Sequence, residues 1–125
     1  MSMQILIFSV ICCTISAATI IHVNPNGSAD FTSVQAAVDS IPTTNTTPVE
    51  IHIAPGTYTE HVHVTGQKSY VSLIGTDPAT TKISFNTPAD DPDYTVWTSA
   101  TVYFESYDFS IEGISIENSY GVGIQ

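Results

Sequence analysis

Apolar and polar residues alternate with a period of two through most of this chain. The runs Val49-Glu-Ile-His-Ile53, His61-Val-His-Val64, Val71-Ser-Leu-Ile-Gly75, Lys82-Ile-Ser-Phe85, Thr101-Val-Tyr-Phe104 and Phe109 to Glu117 are short and separated by Gly, Pro, Asn and Asp. That is the signature of half-buried β-strands. One segment departs from it: Val34, Ala37, Val38 and Ile41 recur at i, i+3, i+4 and i+7, after Thr32 or Ser33 as a cap and before Pro42 as a stop. This spacing predicts one amphipathic helix of about two to three turns.

The strands read as pairs at a nearly constant interval. First strands begin at 49, 71 and 101, steps of 22 and 30, and second strands at 61, 82 and 109, steps of 21 and 27. The shared excess in the later step points to one insertion, the Pro- and Asp-rich stretch Thr87 to Tyr94, expected as a projecting loop. The underlying repeat of roughly 20 to 25 residues is that of stacked solenoids, and a parallel β-helix is the expected fold. Val49, Ile51, Ile53, Val71, Leu73, Val102 and Phe104 are the expected inward residues, and the helix is expected to cap the N-terminal end. The last run changes parity between Ile111 and Ile114, which requires a bulge or corner at Gly113. No polar closing unit follows, so the sequence is expected to be the opening of a longer solenoid, with an edge prone to aggregation.

The first 18 residues are set apart from this pattern. The apolar run Ile5 to Ile15, followed by Ser16-Ala-Ala18, has the form of a secretory signal peptide, although its n-region lacks Lys and Arg. The competing reading is a membrane anchor, since Ile5 to Val23 is uncharged. Cleavage after Ala18 would leave one domain, residues 19–125, secreted to the cell exterior or wall, with no stable membrane association. Both cysteines, Cys12 and Cys13, lie in the leader, so the mature domain would hold no thiol. The triplets Asn26-Gly-Ser28 and Asn45-Thr-Thr47 fit a eukaryotic secretory route.

Charge narrows the partners. Twelve acids stand against two lysines and no arginine, a formal charge of −10 with only 11% charged residues. Nucleic acid and anionic membranes need clustered cations, and Lys68 and Lys82 do not supply them.

Five segments together also resemble a known family: Asp30 to Pro42, Ile53-Ala-Pro-Gly-Thr-Tyr-Thr-Glu60, Leu73-Ile-Gly75, Thr98-Ser-Ala-Thr-Val102, and Phe109 through Ile116-Glu-Asn-Ser119. In this order and spacing they are similar to the N-terminal part of the pectin methylesterases (pectinesterases). The resemblance implies an all-β, right-handed parallel β-helix with one short N-terminal capping helix. It also implies a monomeric, cofactor-free hydrolase that demethylates pectin to pectate and methanol. Family members use two aspartates, an arginine and oxyanion-binding glutamines. The Gln-Asp-Thr and Asp-Phe-Ile-Phe-Gly segments that carry the aspartates are absent from these residues, and so is arginine. The chain by itself is therefore expected to be inactive. The resemblance carries Gln125 over as an oxyanion donor and substrate contact, and Thr95, or else Thr98, as a substrate-cleft threonine. The alternative is a non-catalytic secreted β-solenoid that binds cell-wall polysaccharide.

Other clusters have plainer readings. Asp90-Asp-Pro-Asp93 reads as an acidic surface loop rather than a calcium site, and His61-x-His63, with His52 and Glu60, as a solvent-facing row rather than a zinc site. No metal is assigned. No Gly-x-Ser-x-Gly elbow supports a serine esterase. Tyr58, Tyr103, Tyr107 and Trp97 are candidates for packing before sugar stacking, and Asn118 for a ladder at a coil corner. The negative charge would oppose free polygalacturonate but not its methyl ester, and it agrees equally with these coils lying away from the binding cleft.

Overall fold

The computed structural model describes residues 18–86 and 100–119. Its strands are β1 (Thr19–Val23), β2 (Val49–Ile53), β3 (Gly56–Thr59), β4 (Val62–Val64), β5 (Val71–Gly75), β6 (Thr81–Phe85), β7 (Val102–Phe104), β8 (Ser110–Glu112) and β9 (Ser115–Asn118), with one helix, α1 (Val34–Asp39). Every strand pairing among them is parallel. The first sheet has the order β1-β2-β5-β8, the second β3-β6-β9 and the third β4-β7. Each coil visits the sheets in turn and then stacks on the coil before, which makes a parallel β-helix.

Parallel, in-register pairing puts side chains of the same facing directly above one another. Ile21, Ile51, Leu73 and Ile111 form one inward column, Tyr58, Ile83 and Ile116 a second, and Val62 with Val102 a third. Ile51, Leu73, Ile83, Val62, Val64 and Val71 have no exposed surface. Each such side chain contributes about 1.5–3 kcal/mol. On the last described rung the columns open: Phe104 is 45% and Ile116 43% exposed.

The corners have their own requirements. Gly75 and Gly113 stack at the turn from the first sheet to the second, where a Cβ on Gly75 would meet the Gly113 carbonyl oxygen and the Ile114 side chain. Gly113 also has φ +70, as its parity change demanded. At the turn into the first sheet, Tyr70 (φ 62) and Asp108 (φ 54) are left-handed two residues before the register partners Ser72 and Ser110.

The helix is six residues long, too short to persist alone. Its fixings come from the first coil. Ser33 Oγ accepts from Ala36 N–H at 3.1 Å, and the Glu60 carboxylate accepts from Val34 N–H at 2.9 Å and Gln35 N–H at 2.7 Å. Lys68 Nζ, buried, donates to the Val38 carbonyl at 3.0 Å. An anion at the N-terminus and a cation at the C-terminus both match the helix dipole. Val34, Ala37 and Val38 face the core, as their spacing predicted. Gln35 mimics a strand: its Oε1 accepts from His63 N–H at 2.7 Å and its Nε2 donates to the His63 carbonyl at 3.2 Å. Those groups face away from the β4–β7 ladder, so the carboxamide closes that sheet edge.

The expected strand pairing needs correction in three places. Thr101 to Phe104 does not continue the row that begins at 49 and 71; Val102–Phe104 stacks on Val62–Val64, and Ser110–Glu112 takes the place in the first sheet. Lys82 to Phe85 stacks not on His61 to Val64 but on Gly56–Thr59, a strand the pattern did not predict. Finally, Phe109 to Glu117 is two strands in different sheets, divided at Gly113. A coil therefore has three strands rather than two. The insertion falls inside the second coil, after β6, and not between coils.

Glu60→Ala leaves two helix amides without their acceptor and is expected to lower stability by about 1–3 kcal/mol. Glu60→Gln, with one acceptor kept, should lose less. Urea midpoints at constant slope measure both; an unchanged midpoint in Glu60→Ala would show that the clamp is unimportant. Gly75→Ala should cost at least as much, because backbone rather than a flexible side chain has to yield.

Candidate functional site

Register sets side by side the described residues from which the two segments holding the expected substrate contacts begin. Phe85, at the end of β6, pairs with Asn118, at the end of β9, and Ser119 N–H donates to the Phe85 carbonyl at 2.9 Å. Residues 87–99 follow the first strand and residues 120–125 the second. Thr95 and Thr98 lie in the former segment and Gln125 in the latter, all outside the described residues, as do Trp97 and Asp90 to Asp93. The roots of the two segments are thus neighbours on adjacent rungs. The returning end is tied to the same place: Thr101 Oγ1 donates to the Glu117 carbonyl at 2.9 Å, while the Thr101 carbonyl accepts from Val62 N–H at 2.9 Å.

The side chains around these roots are packed and paired. His61 packs edge-on against Phe85, with centroids 5.8 Å apart. On the outer face of the second sheet, Lys82 Nζ lies 3.4 Å from Glu117 Oε2, and Ser84 Oγ donates to Glu117 Oε1 at 3.3 Å. One coil earlier the corner is occupied by Glu60, which is committed to the helix amides.

The remaining candidate residues are dispersed. His63 stacks on Tyr103 at 4.8 Å and its Nε2 lies 2.9 Å from Glu105, whereas His52 lies 2.8 Å from Glu50 and tilts against the His22 ring. Among the described residues, no three of His, Cys, Asp and Glu converge as metal ligands. Tyr58 is core, its hydroxyl donating to the Ala54 carbonyl at 2.6 Å, while Tyr107 is 77% exposed. An open groove of about 800 Å³ lies at a different corner, after β1, β2 and β5, and is lined by His22, Asn24, Asp30, His52 and Thr76 among others. Of the described candidate residues, His52 borders it. Lys68 entered the sequence reading only as one of two cations, Gln35 only as a motif residue, and Glu60 only as a motif residue and possible ligand. Their partners lie 25 to 30 residues away in the chain, so no local signal marks them.

Comparison with known proteins settles the family. The pectinesterase family model matches residues 20–124. The chain belongs to the pectinesterase family. Pectinesterase 31 of Arabidopsis thaliana is 32% identical over 108 residues, covering 79% of this chain and 34% of that protein. The solved pectin methylesterase from carrot superposes with a TM-score of 0.71 at 27% identity, over 81% of this chain and 31% of that one. A pectin methylesterase solved in complex with a hexasaccharide gives 0.68 at 26% identity, over 86% and 32%. The chain thus spans about a third of the length of these pectinesterases.

Burial, and after it the neighbouring His63, holds the His61 imidazole below its ordinary value of 6.5. The unfolded chain then binds a proton that the folded chain does not, so this contribution is complete above about 6.5 and is lost as pH falls through the lowered value. Urea midpoints taken from neutral pH downwards should decline in that window, less steeply in His61→Gln. Equal slopes in the two proteins would refute the assignment.

Proposed function

We propose that this chain forms the opening coils of a secreted pectinesterase that hydrolyses the methyl esters of pectin. Water adds across the ester, the bond from acyl carbon to methoxyl oxygen breaks, and methanol, a galacturonate carboxylate and a proton result. The nucleophile, the acid/base group and the arginine are expected from residues beyond Gln125. The share of the present chain is a positioned corner. Gln125 donates its amide N–H groups to the oxyanion, Thr95 contacts the sugar, and the stacked ends of β6 and β9 hold both segments. The observation that carries this reading is the pairing of Phe85 with Asn118 within a chain whose family is pectinesterase.

Charge agrees with the ester as substrate, and equally with these coils lying away from the binding cleft. Both cations are engaged, Lys68 at the helix end and Lys82 on Glu117. At −10 the surface opposes free polygalacturonate, whereas a methylated stretch carries little charge to oppose. Residues 1–18 act as the leader, cleaved before Thr19, where β1 begins. No helix among the described residues is long and apolar enough to cross a membrane.

The first test is to read the transcript past the codon for Gln125. An open frame encoding Gln-Asp-Thr and Asp-Phe-Ile-Phe-Gly, whose product releases methanol from highly methylated pectin, is the expected result. Binding to pectin without turnover by that product would favour a non-catalytic binder instead. In the active product, Gln125→Ala should lower kcat by about 10²- to 10³-fold, as expected for loss of an oxyanion donor, with KM little changed. A change confined to KM would assign Gln125 to binding alone.

A further inference from the structure

The two Asn-x-Ser/Thr triplets serve no purpose in ester hydrolysis, and the fold treats their asparagines differently. Asn45 is a structural tie. Its Nδ2 donates at 2.7 Å to both the Thr47 and the Ser69 carbonyls, joining the segment after the helix to the end of the first coil. A parallel bridge between Asn45 and Lys68 lies at the same place. Both amide hydrogens are therefore in use. Attachment of a sugar replaces one of them with carbon and breaks one of the two bonds.

Asn26 has the opposite arrangement. It stands exposed in the turn that follows β1, where Gly27 N–H donates to the Asn24 carbonyl at 3.1 Å and Asn26 N–H donates to Asn24 Oδ1 at 3.1 Å. Its own Oδ1 accepts from Ser28 N–H at 2.9 Å. This Asx turn fixes the carboxamide relative to Ser28, and Nδ2 makes no hydrogen bond among the described residues. Gly27, at φ +87, has open space where a Cβ would stand, so nothing crowds the turn.

We propose that Asn26 is a site of N-linked glycosylation, a reading that rests on entry of the chain into the secretory route. The donor is an oligosaccharide linked to a polyprenyl pyrophosphate. A bond forms between Asn26 Nδ2 and the anomeric carbon, the bond from that carbon to phosphate oxygen breaks, the lipid pyrophosphate leaves with the electron pair, and the amide nitrogen loses one proton. Asn45 keeps its two hydrogens for Thr47 and Ser69. The glycan stands beside the groove bordered by Asn24 and Ser28, on a different corner from the roots of the esterase site.

Translation of the full 125-residue chain with endoplasmic-reticulum microsomes tests this. Protection from added protease reads entry, and a mobility step removed by peptide N-glycosidase reads the glycan. The protected chain is expected to carry the step, to lose it in Ser28→Ala and in Asn26→Gln, and to keep it in Thr47→Ala, which removes the second triplet while leaving the Asn45 side chain intact. A protected chain without a step, or a step lost in Thr47→Ala and retained in Ser28→Ala, overturns the assignment. A chain that stays open to protease overturns the leader reading and the glycan with it. The two failures are therefore distinguishable.

Discussion

Parallel register is the constraint on which the rest of the structure depends. A strand in this fold cannot choose its facing independently, because each inward residue sits above one from the coil below and under one from the coil above. Ile21, Ile51, Leu73 and Ile111 satisfy that condition in the first sheet, and Tyr58, Ile83 and Ile116 in the second. Outward positions are correspondingly free, which explains why His22, His52, Ile74 and Glu112 can share a column. The corners must preserve the same alignment. Gly75 over Gly113 and the left-handed Tyr70 and Asp108 keep successive turns superimposed.

With so few charged residues, the chain still places three of them, Asp30, Glu60 and Lys68, where backbone groups would otherwise be unsatisfied. Glu60 and Lys68 hold opposite ends of α1, and Asp30 Oδ2 accepts from His22 N–H at 2.9 Å on the outer edge of β1. Hydrogen bonds to charged groups are worth about 1.5–3 kcal/mol, more than surface ion pairs usually return. The half-exposed pair of Lys82 and Glu117 belongs to the weaker kind.

Local pattern and long-range register were not equally legible in the sequence. The helix was readable because Val34, Ala37, Val38 and the cap Ser33 act on one another within two turns, and the strand Val49–Ile53 because its alternation is uninterrupted. Gly56-Thr-Tyr-Thr59 was missed as a strand because it opens on glycine after Pro55 and has only one buried side chain, Tyr58. The third coil was misaligned for a different reason. Thr101 to Phe104 alternates in the same way as the runs at 49, 71 and 61, and nothing local says which it pairs with; only the length of the insertion, spent inside a coil, decides it. As for the site, Gln125 and Thr95 rested on family resemblance alone, and the sequence held no sign that their segments leave from paired residues. That relation comes from β6 lying against β9.

The strand-like Gln35 also gives the solenoid a direction. On the first-coil side, His63 is closed by that carboxamide, and the His22 backbone by Asp30 and by Phe31 N–H at 3.1 Å. On the last described rung Phe104 and Ile116 stay partly exposed. Among the described residues, the first-coil edge is therefore blocked. A strand arriving on the first-coil side would have to displace α1 and the Asp30–Phe31 segment before it could pair.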